Sequence, residues 1–371
     1  MPAHEVAHII DRVKDQLPQI VNNSWKQRTL YALSRCRTAA LGGHIDRCDN
    51  PTCNRLHISY NSCRNRHCPK CQGHLREQWI ANREADLINT PYFHVVFTLP
   101  DHLNQLALQQ PKLTYNLLFA TAWAVIRDFG ANPKMLGAKM GMIAILHTWG
   151  QNLSLHPHLH CIVPAGGLTP QGKWKTTKSK GRFLFPVKSM SKVFRARFID
   201  GLRKQEVLPQ SLADELFCKP WVVYAKRPFF GPRQVIEYLG RYTHKIAISN
   251  SRILDISKGQ VTFRAKDYRH AGRPVIVYLD CGEFIRRFAL HILPKGYTRI
   301  RHFGIFNGRV KAACKKVAQK QLGKVRIIHV PQPILHRKCP VCKKGELQIL
   351  MYFDQRGPPD PRSFELLSFK N

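Results

Sequence analysis

The chain has 371 residues, enough for two or three domains with a sizeable core. Its 59 Lys and Arg against 23 Asp and Glu leave a formal charge of +36, a self-repelling excess beyond what solubility requires and one that a polyanion would neutralise. No apolar run approaches the roughly 18 residues of a membrane-spanning helix, and the opening MPAHEVAHIIDRVKDQLPQIV patterns as an amphipathic helix rather than a signal peptide, so the expectation is a cytoplasmic protein with no membrane partner.

From Glu5 to about Thr38 the pattern is helical, with Ile9, Ile10, Val13, Leu17 and Ile20 near helical spacing. A polar stretch rich in turn formers, Cys and His follows, and it cannot bury itself without a metal. The chain has 12 cysteines, and with an opening that does not pattern as an export signal they are expected to be thiols or metal ligands rather than disulfides. Cys68-Pro-Lys-Cys71 forms a knuckle in which two thiolates can grip one zinc ion, and Cys48 with Cys53 offers a second pair. Cys63, His44, His57, His67 and His74 are also in reach, which leaves a second ion or a different fourfold choice open. Cys339 and Cys342, in HRKCPVCKKGEL, are either half of a second ribbon or unliganded thiols, since no second pair for them is evident.

YFHVVFTLP at 92–100 alternates as a strand, an apolar helical stretch runs from Leu113 to Ile126, and GMIAILHTWG at 141–150 is a second strand. After a short polar connection comes LHPHLHCIVPAGG at 155–167. Pro157 cannot donate to a ladder, so this strand is expected to begin after it, with His156 at its mouth. His158 and His160 then point to one face, and Leu159, Cys161 and Val163 to the other. Two neutral imidazoles side by side can ligate a divalent metal and leave positions open, although a satisfied core pair would look the same. A polar side chain near the strand mouth would supply a third ligand, Gln151 first and His156 second. The order strand, helix, strand, strand suits an α+β architecture with an antiparallel sheet.

Further on, KWKTTKSKGR at 173–182 places Lys173, Lys175, Lys178, Lys180 and Arg182 around a tryptophan, as a nucleic-acid contact or a solvated loop would. FGPRQVIEYLGRYTHKIAISNSRI at 230–253 reads as a helix opened by Pro232 and running to about His244. Tyr238 and Tyr242 stand four apart on one face of it, a spacing equally at home in a core. VTFRAKDYRHAGRPVIVYLD reads as a hairpin loaded with Arg264, Lys266 and Arg269. A tyrosine that attacks phosphorus keeps the bond energy as an ester; it needs a metal to polarise a phosphoryl oxygen and a phenol in line with the leaving oxygen.

The segments YNSCRNRHCPKCQ, HTWGQNLSLHPHLHCIVPAGG, YLGRYTHKIAISN, FRAKDYRHAGR and FIRRFALHILPKGYTRIRHFG occur in that order. Over about residues 10 to 345 the chain thereby resembles the two-tyrosine rolling-circle transposases of the insertion-sequence ninety-one family, within the HUH nuclease superfamily. The resemblance implies an α+β fold, with an N-terminal zinc-binding domain over 1–90, a ferredoxin-like HUH nuclease domain with a central antiparallel sheet over 91–330, and a tail over 331–371 carrying the CxxC pair. It implies that His158 and His160 hold catalytic Mg2+ or Mn2+ and that Tyr238 and Tyr242 are the nucleophiles. The expected partners are DNA, especially single-stranded element ends, and the host replication machinery. The activity implied is nicking of one strand through 5′-phosphotyrosine intermediates, followed by rolling-circle strand transfer. The four residues between Cys48 and Cys53 depart from the tighter C-x-x-C expected of the family. The alternatives are a replication-initiator nickase of the same superfamily and a non-catalytic zinc-dependent DNA-binding protein. The chain carries no Walker-type run, so unwinding would come from the host.

Overall fold

The computed structural model describes residues 3–71, 87–226, 246–267, 270, 272–325 and 337–358. Its helices include α1 (Val6–Arg12), α2 (Leu17–Ile20), α3 (Ser24–Ser34), α4 (Asn104–Gln109), α5 (Pro111–Ala131), α6 (Val187–Arg203), α7 (Gln210–Cys218), α8 (Cys281–Leu290) and α9 (Lys311–Leu322). The strands are β1 (Gly43–Cys48), β2 (Leu56–Tyr60), β3 (Tyr92–Thr98), β4 (Gly141–Trp149), β5 (Leu155–Pro164), β6 (Gly166–Leu168), β7 (Trp174–Thr176), β8 (Val223–Ala225), β9 (Ile253–Ser257), β10 (Gln260–Asp267), β11 (Arg273–Asp280), β12 (Ile300–Gly304) and β13 (Leu347–Phe353).

Five strands form the central sheet in the order β12-β4-β5-β3-β8, every neighbouring pair antiparallel. Strand alternation gives the sheet two different faces. Phe93, Val95, Phe97, Leu146, Leu159, Cys161 and Val163 point to one side and pack on Leu118, Phe119, Ala122 and Val125 of α5 and on Phe194 and Phe198 of α6. The other side carries Ile143, Ile145 and Ile162, covered in part by Ile305 and Phe306 of the segment leading into α9 and by Ala318 of α9 itself. This is the expected α+β arrangement. Gly304 closes β12 in the left-handed region, with φ of +61°, and a Cβ there would run into the Met140 carbonyl and the Trp123 ring, so only glycine admits the approach.

β5 departs from expectation by starting at Leu155, ahead of Pro157. The proline is tolerated because it sits at the frayed end of the ladder, beside the register shift between His147 and Trp149, and contributes only its carbonyl, which accepts from the Leu99 amide. The N-terminal stretch, expected as one helical pattern, is three short helices. Pro18 has no N–H to continue a helix and so stands in the first turn of a new one, and the Asn23 side chain caps α3 by accepting from the Lys26 amide at 3.0 Å.

These helices do not hold a core by themselves. Ile9, Ile10, Leu17, Leu30 and Leu33 are buried together with Ile248, Phe263, Phe284, Ile285 and Phe288, contributed by β10, by α8 and by the chain leading into β9. Likewise the segment expected as a C-terminal tail supplies β13, which pairs with β1 in a three-stranded sheet of order β13-β1-β2. The early residues are too few and too amphipathic to enclose their own apolar faces, so later chain completes them.

Candidate functional site

β4 and β5 are joined by a tight turn, and their register sets His147 opposite His158 and Ile145 opposite His160. His147, His158 and His160 therefore share one face, and one ring nitrogen of each lies within 4.8 Å of the others. His158 Nδ1 donates to the His156 carbonyl at 2.6 Å, which fixes the tautomer whose Nε2 carries a lone pair. That Nε2 lies 3.1 Å from His160 Nε2, so two ring nitrogens converge on one point. On the far side of His160, Nδ1 lies 2.8 Å from Nε2 of His94, a ring on β3 that is only 4% exposed. Burial, aided by the charge of Lys226, pushes His94 down to about 4, so that ring is neutral. Nitrogens converging on one point, backed by hydrogen-bond partners on their far sides, make a donor set that could hold a divalent cation. Behind it the Trp149 ring stacks on His147 with centroids 4.5 Å apart, and the Arg299 guanidinium lies 5.6 Å from the Trp149 centroid.

Of the expected ligands, His158 and His160 come together, and the residue grouped with them is His147 of β4 rather than Gln151 or His156. Gln151 lies in the turn between the strands, where its carbonyl accepts from Arg252, and His156 offers His158 its carbonyl. Tyr238, Tyr242, Arg269 and His74 fall outside the described residues.

The expected zinc cysteines divide into two sets. Cys63, Cys68 and Cys71 are joined by Cys36, and their four sulfurs lie within 4.8 Å of one another; Cys48 and Cys53 instead face Cys339 and Cys342. The pairing of Cys48 and Cys53 with Cys68 and Cys71 is thereby corrected. In the first set, Cys71 Sγ is 3.5 Å from Cys36 Sγ and 3.7 Å from Cys63 Sγ, and the Cys63 amide donates to Cys36 Sγ at 3.4 Å. A tetrahedron with zinc–sulfur bonds of about 2.3 Å has edges of about 3.8 Å, so these separations suit zinc. Hydrogen bonds among the thiols, led by that from Cys63, bring Cys36 down to about 7, while the same contacts, led by Cys36, raise Cys68.

The basic residues are on the surface, on separate elements. Lys173, Lys175, Lys178, Lys180 and Arg182 are exposed on and after the β6–β7 hairpin, where Ser179 and Lys180 take left-handed backbone at φ 55° and 54°. Arg264 and Lys266 are exposed on β10, alternating with buried Phe263 and Ala265. Among the described residues no helix is long and apolar enough to cross a membrane.

Two sets of four thiols that could hold zinc thus accompany an antiparallel sheet that carries three clustered histidines. Residues 8–99 match the family described as "Transposase zinc-binding domain", and residues 141–314 match the family described as "Putative transposase". The chain is 42% identical over 367 residues to "Putative transposase y4qJ" of Sinorhizobium fredii, covering 90% of this chain and 91% of that one. It is 30% identical over 298 residues to "Transposase for insertion sequence element IS801" of Pseudomonas savastanoi pv. phaseolicola, covering 76% of this chain and 70% of that one. No solved structure matches the chain. The chain belongs to the DNA transposases of the insertion-sequence ninety-one family.

Proposed function

We propose that the protein nicks one DNA strand at the single-stranded ends of an insertion element, becomes joined to it through a 5′-phosphotyrosine, and passes that strand to a new site. The observation that supports this reading best is the convergence of His147, His158 and His160 on one sheet face. A divalent cation held there would polarise a phosphoryl oxygen and offset the charge that develops on it. Three imidazole ligands suit Mn2+ better than Mg2+.

Tyr238 or Tyr242 then supplies the phenol oxygen that bonds to phosphorus as the bond to the 3′ oxygen breaks. The phenol loses its proton and the released 3′ oxygen gains one, so the phosphoester is exchanged rather than spent and the step is reversible. A second tyrosine one helical turn away can attack another strand while the first holds its 5′ end. His94 fixes the ring of His160, and the exposed lysines and arginines take the phosphates of the strand. The free 3′ hydroxyl primes synthesis by the host replication machinery in the cytoplasm.

The experiment is incubation of the protein with labelled single-stranded element ends and Mn2+, followed by denaturing electrophoresis. A covalent protein–DNA band is expected from the unaltered chain, and none from the Tyr238→Phe, Tyr242→Phe double variant or from His158→Ala, His160→Ala. An adduct that survives loss of both tyrosines would refute the mechanism, and a DNA-binding regulator would give no adduct at all.

A further inference from the structure

Cys48 closes β1 and Cys53 stands in the turn after it, while Cys339 and Cys342 lie in the turn before β13, almost three hundred residues later. All four sulfurs lie within 4.8 Å of one another. Cys48 Sγ is 3.6 Å from Cys342 Sγ, and Cys53 Sγ is 3.8 Å from Cys339 Sγ. Disulfide sulfurs are about 2.05 Å apart, whereas the edge of a zinc–thiolate tetrahedron is about 3.8 Å.

The surrounding backbone has the form of a metal knuckle. The Lys343 amide donates to the Cys339 carbonyl at 2.9 Å, the Gly345 amide donates to Cys342 Sγ at 3.3 Å, and His57 Nε2 stands 3.4 Å from Cys339 Sγ. Donors aimed at sulfur stabilise thiolates and form the outer shell of a bound metal. A Cβ on Gly345 would lie 2.5 Å from Cys48 Sγ, so the loop closes on the cluster only because that residue is glycine. Beside it the Asp49 and Glu346 backbones pair at 2.9 Å, and Arg337 donates at 2.7 Å to the fully buried Asp46. The two segments thus meet in a preformed arrangement that brings four sulfurs together.

We propose that Cys48, Cys53, Cys339 and Cys342 bind a second zinc ion, distinct from the one at Cys36, Cys63, Cys68 and Cys71, which fastens the late segment to the early sheet. Four thiolates close the coordination of the ion, so the site is structural and takes no phosphate. The match to the zinc-binding family spans residues 8–99 and so contains only half of this ligand set.

The test is zinc content per chain by mass spectrometry of the full-length protein, with a cysteine-reactive maleimide as a second readout. The Cys339→Ser, Cys342→Ser variant should carry one zinc fewer than the unaltered chain, and Cys36→Ser, Cys71→Ser should lose a different one. Exposed Cys218 is the internal standard for labelling. In the zinc-loaded, unaltered chain Cys53 and Cys342 should react at least tenfold more slowly than Cys218 and reach its rate after chelation. That measurement stands even where a variant fails to fold. Unchanged zinc in a folded Cys339→Ser, Cys342→Ser protein, or labelling of Cys53 and Cys342 as fast as Cys218 before chelation, would overturn the proposal.

Discussion

His94→Phe tests whether the proposed cation site depends on a residue that would not touch the cation. The His94 and His160 rings lie nearly coplanar, with planes 17° from parallel and centroids 5.1 Å apart, and meet edge to edge through the 2.8 Å nitrogen contact, so phenylalanine keeps a buried aromatic ring at this place and removes the accepting nitrogen. With His94 as acceptor, the proton of His160 sits on Nδ1 and Nε2 presents its lone pair to the metal; without it the other tautomer is no longer disfavoured. Loss of such an outer-shell partner typically weakens metal binding about 10- to 100-fold, or about 1.4 to 2.7 kcal/mol. The orphaned Nδ1 should also lower folding stability by about 1 to 3 kcal/mol. Adduct formation titrated with Mn2+ should show its midpoint moved by that factor while the rate at saturating Mn2+ stays within a few-fold of the unaltered enzyme. His94→Gln, whose carbonyl can accept the same bond, should recover most of the shift. A His94→Phe midpoint within twofold of the unaltered protein would refute the tautomer argument.

Replacing Lys173, Lys175 and Lys178 together by Gln should reduce the slope of log affinity for single-stranded DNA against log salt by about 0.7 for each phosphate that is no longer neutralised, about 2 in all; an unchanged slope would place the strand elsewhere. Cys36→Ser should remove zinc from the first thiol set and expose Cys63 to labelling, as metal analysis and mass mapping would show, although Cys36 lies outside the cysteine-rich stretch. His291 accepts from Thr148 at Nδ1 and donates from Nε2 to the Leu153 carbonyl, and burial pushes it down to about 4. The unfolded ring protonates near 6.5 and the folded one only near 4, so the contribution is whole above 6.5 and falls away as pH drops towards 4, by on the order of 3 kcal/mol. Melting temperature against pH should fall over that window and flatten in His291→Gln.

What the sequence made legible was local. β3, β4 and the β10–β11 hairpin stand close to where alternation puts them, because a half-buried strand writes its period of two into a few consecutive residues. His158 and His160 were visible for the same reason. His147 was hidden in an apolar run, and only register exposes it: the shift between His147 and Trp149 brings it opposite His158, where plain counting from the turn would place Pro157. Cys36 follows a helix end and has no cysteine within knuckle spacing to mark it. Cys339 and Cys342 had no partner in view because theirs lie at the other end of the chain, and pairing by proximity handed Cys48 and Cys53 to the wrong knuckle. Ligand type is local information; ligand grouping is a property of topology.

The shared core of the N-terminal helices and α8 bears on how the protein comes into being. Ribosomes add on the order of 5 to 20 residues per second, so Ile9, Leu17 and Leu30 must remain uncovered for roughly ten seconds or more before Phe263, Phe284 and Phe288 emerge to receive them. A transcript broken inside the element, or a reading frame interrupted before that point, yields a product whose earliest helices have nothing to fold against and which proteases will clear. The architecture thereby makes the intact chain the condition for a folded protein.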